Sequence, residues 1–483
     1  MEMKIKTQKL ESAETPLLVL GFSEKQYKAL KNKFNLILSI AEQDFEGKDD
    51  QQILLYKTPF KAKRVMLIGL GEDIDYERVR KRYSMVARYM DKNKLTDASI
   101  AIPNGDKKFF KCVCESILLS HYKFDKYLDK KKKLNPIKTI TFVFETKQDD
   151  NDLLALLKET NTVCENVKFV RDLVNEVTDV ASPLGMEDTA RKIAKNDKVK
   201  IKVLTEKEMK NIGMNLLLAV SSGSSYPPRL IILEYNGNPN TKKTLAFVGK
   251  GITFDTGGLN LKPTGYMETM REDMAGAATI LGAFKTAIEL KLKVNLYCVI
   301  PTCENAIGSK AYKPGDIFTA YNGKTVQIEN TDAEGRLVLG DALAYVQEKL
   351  KPSKVIDLAT LTGAMIVCLG HQVTGMFGNN DEMCNELTAV GEETYERVWR
   401  LPMYDEFKEM IKGDVADIKN STTKRDAGSI TAACFLQEFL DEKTPWVHLD
   451  IAGTSWMDES SGYLPKNATG TGVRLLVEWL KKQ

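Results

Sequence analysis

Two stretches decide how this chain folds: Val248-Gly249-Lys250-Gly251-Ile252-Thr253-Phe254-Asp255-Thr256-Gly257-Gly258 and Asn330-Thr331-Asp332-Ala333-Glu334-Gly335-Arg336-Leu337. Each joins an apolar run, read as a strand, to a glycine-bearing turn that leads toward a helical pattern. Between them lie Lys262 and the segment Arg271-Glu272-Asp273-Met274-Ala275-Gly276. Carboxylates and basic groups gathered where strands end and helices begin mark the place where open α/β sheets build their active sites.

Around these stretches, strands and helices alternate to the C-terminus. Apolar runs predict strands at 230–233, 244–248, 294–300, 326–329, 355–358 and 447–451. Helices are predicted at about 273–290, 337–350, 430–440 and 473–480. Upstream, the runs 17–20, 65–68 and 140–144 alternate with charged helical segments, which predicts a small α/β domain. Only five of the 32 glycines precede residue 160, and all four tryptophans follow it. The expected division is therefore 1–160 and 161–483. A helix starting near Asp149-Asp150-Asn151-Asp152 carries Leu153, Leu156, Leu157, Val163, Val167 and Val170 roughly on one side and is expected to bridge the two. The fold class is α/β: a small N-terminal α/β domain and a larger C-terminal α/β domain with a central mixed sheet flanked by helices.

With 483 residues, two domains are the natural expectation, and 43% hydrophobic against 28% charged residues marks an ordinary globular chain. A net charge of +3 falls short of a nucleic-acid footprint. The run Lys130 to Lys133 reads as a solvated loop. Gly69-Leu70-Gly71 lacks the third glycine of a dinucleotide turn. The eight cysteines include no Cys-x-x-Cys pair, which fits a reducing compartment. Met1-Glu2-Met3-Lys4-Ile5-Lys6 lacks the apolar core of a signal peptide, and no run nears the ~20 apolar residues of a membrane span. The expected location is the cytoplasm, with no membrane partner and no nucleic acid.

Asp332 and Glu334 stand at i and i+2, which would point them apart on a regular helix. Asn330, Thr331 and Gly335 favour an irregular turn in which both could converge, although Asp332 taken alone reads as a helix N-cap. Asp255 closes an apolar strand and precedes two glycines that allow close backbone approach. Asp273 stands at the start of another helix and could also be a cap. Four carboxylates together in a cleft of low dielectric would repel unless cations neutralise them. Two divalent ions would do so, and a metal pair about 3.5–4 Å apart is a common hydrolytic device. Only His121, His371 and His448 exist and no His-Glu-x-x-His occurs, so a histidine-ligated zinc protease is excluded. His448 reads as a hydrogen-bonded core residue. Neither a Gly-x-Ser-x-Gly elbow nor a P-loop is present. Lys250, Lys262 and Arg336 could be salt-bridge partners of the carboxylates, or a lysine could form a Schiff base.

These motifs resemble those of the leucyl aminopeptidase family of dinuclear metallopeptidases. The octapeptide 330–337 is that family's signature. The likeness extends over roughly 165–483, through Tyr226-Pro227-Pro228-Arg229-Leu230, Lys313-Pro314-Gly315-Asp316, Ala359-Thr360-Leu361-Thr362-Gly363-Ala364 and His448-Leu449-Asp450-Ile451-Ala452-Gly453. Thr256 stands where the family has Ser, Ala275 where it has Gly, and Glu304-Asn305-Ala306-Ile307-Gly308 replaces a Glu-Asn-Met-Pro stretch.

The resemblance implies an aminopeptidase that hydrolyses the N-terminal residue of peptides, Leu and other apolar residues preferred, through water activated by two divalent ions, Zn²⁺ or Mn²⁺. One ion would be held by Asp255, Asp332 and Glu334, the other by Lys250, Asp255, Asp273 and Glu334. Lys250 would then have to be neutral, since an ammonium cannot ligate. The resemblance further implies that Lys262 steadies the tetrahedral intermediate and that Arg336 holds a bicarbonate acting as general base. Met270, Thr360, Leu361, Gly363 and Ala452 would line the side-chain pocket, and the assembly would be a homohexamer acting on peptides with a free N-terminus. The alternatives are a Schiff-base lyase using Lys250 or Lys262, and a nucleic-acid-binding or scaffolding protein that retains the fold.

Overall fold

The computed structural model describes residues 1–30, 44–422, 424 and 426–483. It divides into two compact units, Met1–Glu165 with Asp458–Lys466, and Asn166–Met457 with Asn467–Gln483. The boundary falls inside the long helix Asp150–Asn175.

The first unit is built on a six-stranded sheet of β1 (Glu2–Thr7), β2 (Leu18–Phe22), β3 (Gln52–Leu55), β4 (Val65–Gly69), β5 (Asp97–Ala101) and β6 (Thr139–Phe144). Its order is β1-β6-β5-β2-β4-β3, parallel except for β3 against β4. The runs 17–20, 65–68 and 140–144 lie in or beside β2, β4 and β6. Helices Tyr76–Lys92 and Lys107–Ser120 pack together. Each begins at an aspartate whose carboxylate accepts a first-turn amide, Asp75 from Arg78 and Asp106 from Phe109. Such a cap is worth about 1 kcal/mol. Lys130–Lys132 form a short exposed 3₁₀ turn in which Asp129 caps Lys131, so the lysine run is a solvated bend.

The second unit contains a nine-stranded mixed sheet: β7 (Val199–Leu204), β8 (Arg229–Asn236), β9 (Leu245–Gly249), β10 (Gly251–Asp255), β11 (Asn295–Asn305), β14 (Lys354–Ala359), β15 (Thr374–Gly378), β16 (Val398–Arg400) and β18 (Trp446–Asp450). A three-stranded sheet combines β12 (Ile317–Thr319), β13 (Thr325–Gln327) and β17 (Ile418–Lys419). The large sheet runs β16-β15-β18-β14-β9-β11-β8-β7, with β10 added to β11. Its centre is parallel: β9 lies between β14 and β11, and β18 lies on the far side of β14. These strands are buried along nearly their whole length, as a sheet covered on both faces requires. The helices Ala275–Glu289, Val473–Leu480 and Asp381–Thr394 form one packed group, and Glu334–Tyr345, Asn215–Ser221 and Gly428–Gln437 another.

Two helix boundaries differ from the sequence reading. The helix expected from 273 begins at Ala275, because Met270–Met274 turn as a 3₁₀ segment. The helix expected from 337 begins at Glu334 and widens after Tyr345 into a π turn, Val346–Leu350. No described helix is long and apolar enough to cross a membrane.

Candidate active site

Strand β11 is long enough to pair with two successive strands, β9 along its first half and β10 along its second. Lys250 is the residue between them. Its amide donates to Leu358 O (3.0 Å) and its carbonyl accepts from Ala277 N (2.9 Å), which fixes it at the C-terminal edge of the sheet. Its side chain passes over Gly335, where an added Cβ would lie 2.7 Å from Nζ. The ammonium donates to Asp273 Oδ1 (2.7 Å) and Thr360 O (2.9 Å) and pairs with Glu334 Oε1 (2.8 Å).

Asp255 ends β10, buried. Its Oδ1 accepts from Gly257 N (2.8 Å) and Asn305 Nδ2 (2.7 Å). Its Oδ2 lies 2.8 Å from Lys262 Nζ, which also lies 2.5 Å from Asp332 Oδ1. The turn between them needs glycine: Gly257 has φ +83°, and a Cβ there would come within 2.5 Å of Asn260 O. The Thr256 hydroxyl accepts from Gly258 N (3.1 Å) and donates to Asn305 O (2.9 Å), so the threonine supplies a hydroxyl where the resembled family has serine. Asp273 sits in the 3₁₀ turn. Its Oδ1 accepts from Thr360 Oγ1 (2.8 Å) as well as from Lys250, while Oδ2 is buried with no hydrogen-bond partner among the described residues.

The octapeptide is gripped from two sides. Thr331 Oγ1 donates to Gly257 O (2.7 Å), Thr331 N donates to Asn260 Oδ1 (2.8 Å), and Asn260 N donates to Thr331 Oγ1 (2.8 Å). Opposite, Asn420 bonds the backbone of Glu329, Asn330 and Ala333. Tyr312 OH and Asn305 Nδ2 both donate to Thr331 O. Asp332 leaves this turn toward Lys262, and Glu334 opens the following helix toward Lys250.

Crowding shifts the titrations. Burial and Glu334 raise the Asp255 carboxyl against Lys262 and Lys250. Burial raises Asp273 well above the ordinary carboxylate range, despite Lys250. Burial, with Asp255 and Glu334, pushes Asp332 up to about 7. Burial also opposes ionisation of Glu334, but Lys250 and Lys262 outweigh it and hold that group low. For both lysines burial works against the ammonium, and the surrounding carboxylates overcome it and raise the pKa. Such lysines are poor Schiff-base nucleophiles, so the lyase alternative gains nothing from this geometry.

The residues fit divalent cations. Asp255, Asp273 and Glu334 each offer an oxygen, and the three oxygens lie within 4.8 Å of one another. Two ammoniums face four carboxylates, one of which keeps an orphaned buried oxygen. A net-negative, oxygen-rich set of donors built on the three buried carboxylates suits a hard or borderline dication.

A cavity of about 810 Å³ adjoins this cluster, lined by Asp332, Ala333, Arg336, Leu361, Gly363 and Ser429 among others. Arg336 is buried, its Nη1 donates to Asn420 O (2.7 Å), and its Nε has no partner among the described residues. Burial lowers its pKa to about 10, still fully cationic near neutrality. Of the five residues expected in a side-chain pocket, Leu361 and Gly363 line this cavity; Thr360 instead bonds Asp273 and Lys250, and Met270 and Ala452 lie outside its lining. His448 is a buried core residue, its Nδ1 2.6 Å from Asp357 Oδ1. All eight cysteines are free, and Cys368, on the cavity wall, is the exposed one. Asn305, Asn260, Thr331 and Asn420 orient this site; the sequence reading placed Thr331 in an irregular turn and assigned no role to the three asparagines. Their partners among these contacts lie 26 to 91 residues away, with no local pattern to reveal them.

Comparison with known proteins agrees with this geometry. Residues 168–477 match the family model described as "Cytosol aminopeptidase family, catalytic domain", and residues 19–131 match the corresponding N-terminal domain. A "Probable cytosol aminopeptidase" of Protochlamydia amoebophila is 42% identical over 449 residues, covering 91% of this chain and 89% of that protein. One of Geobacter sp. (strain M21) is 40% identical over 488 residues, covering 97% of each. Among solved structures, a tomato leucine aminopeptidase mutant superimposes with a TM-score of 0.89 at 32% identity, covering 100% of this chain and 97% of that one. The bottromycin maturation enzyme BotP in complex with Mn gives a TM-score of 0.85 at 27% identity, covering 97% of this chain and 99% of that one. The chain therefore belongs to the cytosol aminopeptidase family and is a metal-dependent aminopeptidase.

Proposed function

We propose that this aminopeptidase releases Leu and other apolar N-terminal residues from peptides, using two divalent ions held by the carboxylate cluster. The observation that carries the proposal is the convergence of Asp255, Asp273 and Glu334 oxygens within 4.8 Å, beside Lys250 and next to the Lys262–Asp332 pair. One ion would be held by Asp255, Asp332, through carboxylate and carbonyl, and Glu334. The other would be held by Lys250, Asp255, Asp273 and Glu334. When bound, such a pair supplies Lewis acidity at the scissile carbonyl and a water acidic enough to attack near neutral pH.

The chain's own groups do the rest. As a ligand, Lys250 Nζ would have to be neutral, since an ammonium has no lone pair to donate. Lys262 stays charged and faces the carbonyl oxygen as negative charge develops there, a role worth several kcal/mol in acyl transfer. Arg336, with Nε unpaired and one edge tied to Asn420, offers a fork for a planar carboxylate-like anion. Arg336 would hold a bicarbonate in that fork, and the anion would supply a general base there. Leu361 and Gly363 on the cavity wall favour an apolar side chain, and the family resemblance adds Met270, Thr360 and Ala452, outside that lining, to the proposed pocket.

Further parts of the reading are a division into functional domains 1–160 and 161–483, Zn²⁺ or Mn²⁺ as the metal, a homohexamer and a cytoplasmic location. Chelator-stripped protein assayed on leucine anilide, and on its N-acetylated form, tests the core of the proposal. Activity should vanish on stripping, return with Mn²⁺ or Zn²⁺ at two ions per chain, and fail on the acetylated substrate. A metal-free sample with full activity would sink the metal roles, and equal cleavage of the acetylated substrate would sink the requirement for a free amine.

A further inference from the structure

We infer that Asn420 is the positioning residue of the carboxylate turn: its side chain clamps the backbone from Glu329 to Ala333 into the shape that aims Asp332 and Glu334 at the same site. The inference rests on the reading of those two carboxylates as metal ligands.

The small sheet delivers Asn420 to its place. Strand β17 pairs in parallel with β13 at Val326↔Ile418 and Gln327↔Lys419, so the next residue falls beside the turn that leaves β13. Asn420 N donates to Gln327 O (3.0 Å) and continues the ladder. Beyond that point the side chain takes over from the sheet. Its Oδ1 accepts from Glu329 N (2.8 Å) and Asn330 N (3.3 Å), and its Nδ2 donates to Asn330 O (2.7 Å) and Ala333 O (3.4 Å). A carboxamide has two acceptor sites and two donor hydrogens, so every one is committed, three of them to Glu329 and Asn330. The residue is fully buried, where no water can replace a lost bond.

Two further observations tie this clamp to the chemistry. Asn420 O accepts from Arg336 Nη1 (2.7 Å), so one residue fixes both the acidic turn and the guanidinium beside it. On the other side Thr331 and Asn260 hold the turn only at residue 331. Ala333, the residue between the two carboxylates, is held by Asn420 alone among these side chains. The required side chain is both donor and acceptor, short, and uncharged beside four carboxylates. Asparagine meets all three demands, and aspartate meets only the second.

The test titrates Mn²⁺ calorimetrically into chelator-stripped full-length wild type, Asn420→Asp and Asn420→Ser, with kcat and KM on leucine anilide at saturating Mn²⁺. Changes in residues that orient metal ligands typically cost 10–100-fold in affinity or activity. Both variants should lose about that much affinity for at least one ion. They should also lose kcat at saturation, with a smaller change in KM. Asp341→Asn serves as the comparator. Asp341 is an equally buried hub whose carboxylate accepts from Leu216, Leu217 and Tyr321 amides away from the site, so its loss should lower the melting temperature without weakening Mn²⁺. If Asn420→Asp does not fold, Asn420→Ser decides. A folded Asn420 variant with wild-type Mn²⁺ affinity and kcat overturns the inference. Wild type that binds no Mn²⁺ overturns the metal reading instead.

Discussion

Replacing Lys262 by alanine removes an ammonium 2.8 Å from Asp255 Oδ2 and 2.5 Å from Asp332 Oδ1. In the metal-free protein this leaves four carboxylates facing Lys250 alone. Severing a buried pair costs about 3–5 kcal/mol. The Lys262 side chain retains 14% exposure, which places this case lower, at about 2–3 kcal/mol of folding stability. Divalent ions make up the missing positive charge, so Mn²⁺ should recover most of that loss and its affinity should hold or rise. Turnover should behave oppositely: without a cation facing the developing oxyanion, kcat should fall ~10²–10³-fold, about 2.7–4 kcal/mol on the barrier, with KM little changed. Scanning calorimetry with and without Mn²⁺, Mn²⁺ titration and steady-state kinetics on leucine anilide read the three effects separately. A variant that loses metal but turns over normally once saturated would refute the assignment. If, in addition, Lys250→Ala kept both ions, the two lysines would have to exchange roles.

Three further outcomes are expected. Lys250→Ala should weaken one of the two Mn²⁺ ions, and excess Mn²⁺ should restore part of its activity, as read by metal analysis beside kcat. Arg336→Ala should slow turnover with little change in metal content, and bicarbonate should stimulate anion-depleted wild type but not the variant; equal stimulation would remove the anion role. Burial lifts the Asp341 carboxyl to about 7 against its three amide donors, so the stability linked to it is fully present below about pH 4 and lost as pH climbs to about 7. Asp341→Asn leaves an amide group facing N–H donors, so it should cost about 1–3 kcal/mol at neutral pH. It should also flatten the decline between pH 4 and 7, which denaturant melts across that range would measure.

The central strands and the turns at their ends were legible because their causes are local. An apolar run ending in Asp255-Thr256-Gly257-Gly258 carries its own turn chemistry, and β9, β11, β14 and β18 follow the hydrophobic runs to within a few residues. Short peripheral strands such as β3, β12 and β17 show too little periodicity to stand out. The acidic turn was half legible. Asp332 and Glu334 converge because Asn420 and Thr331 bend the backbone around them, and both depend on partners over 70 residues distant. Likewise nothing in the sequence around Thr360 told that its hydroxyl and carbonyl bond Asp273 and Lys250. Backbone direction at a strand end decides that, and composition does not record it.

The first compact unit closes with residues Asp458–Lys466, far along the chain from its other residues. Tyr463 OH reaches Glu77 Oε2 (3.4 Å) within it, and Gly462 lies against Lys81, where a Cβ would meet Cγ at 3.0 Å. During synthesis the sheet β1–β6 therefore emerges long before its last piece. Roughly 300 residues separate the two, which at 5–20 residues per second is about 15–60 s on the ribosome. Throughout that interval the surface that later receives Tyr463 stands open, including the buried Arg80–Glu77–Glu115 charge cluster beside it. A nascent chain stalled between residues 165 and 458 thus carries every strand of the first unit's sheet but not the segment Asp458–Lys466, which is that unit's final fastening.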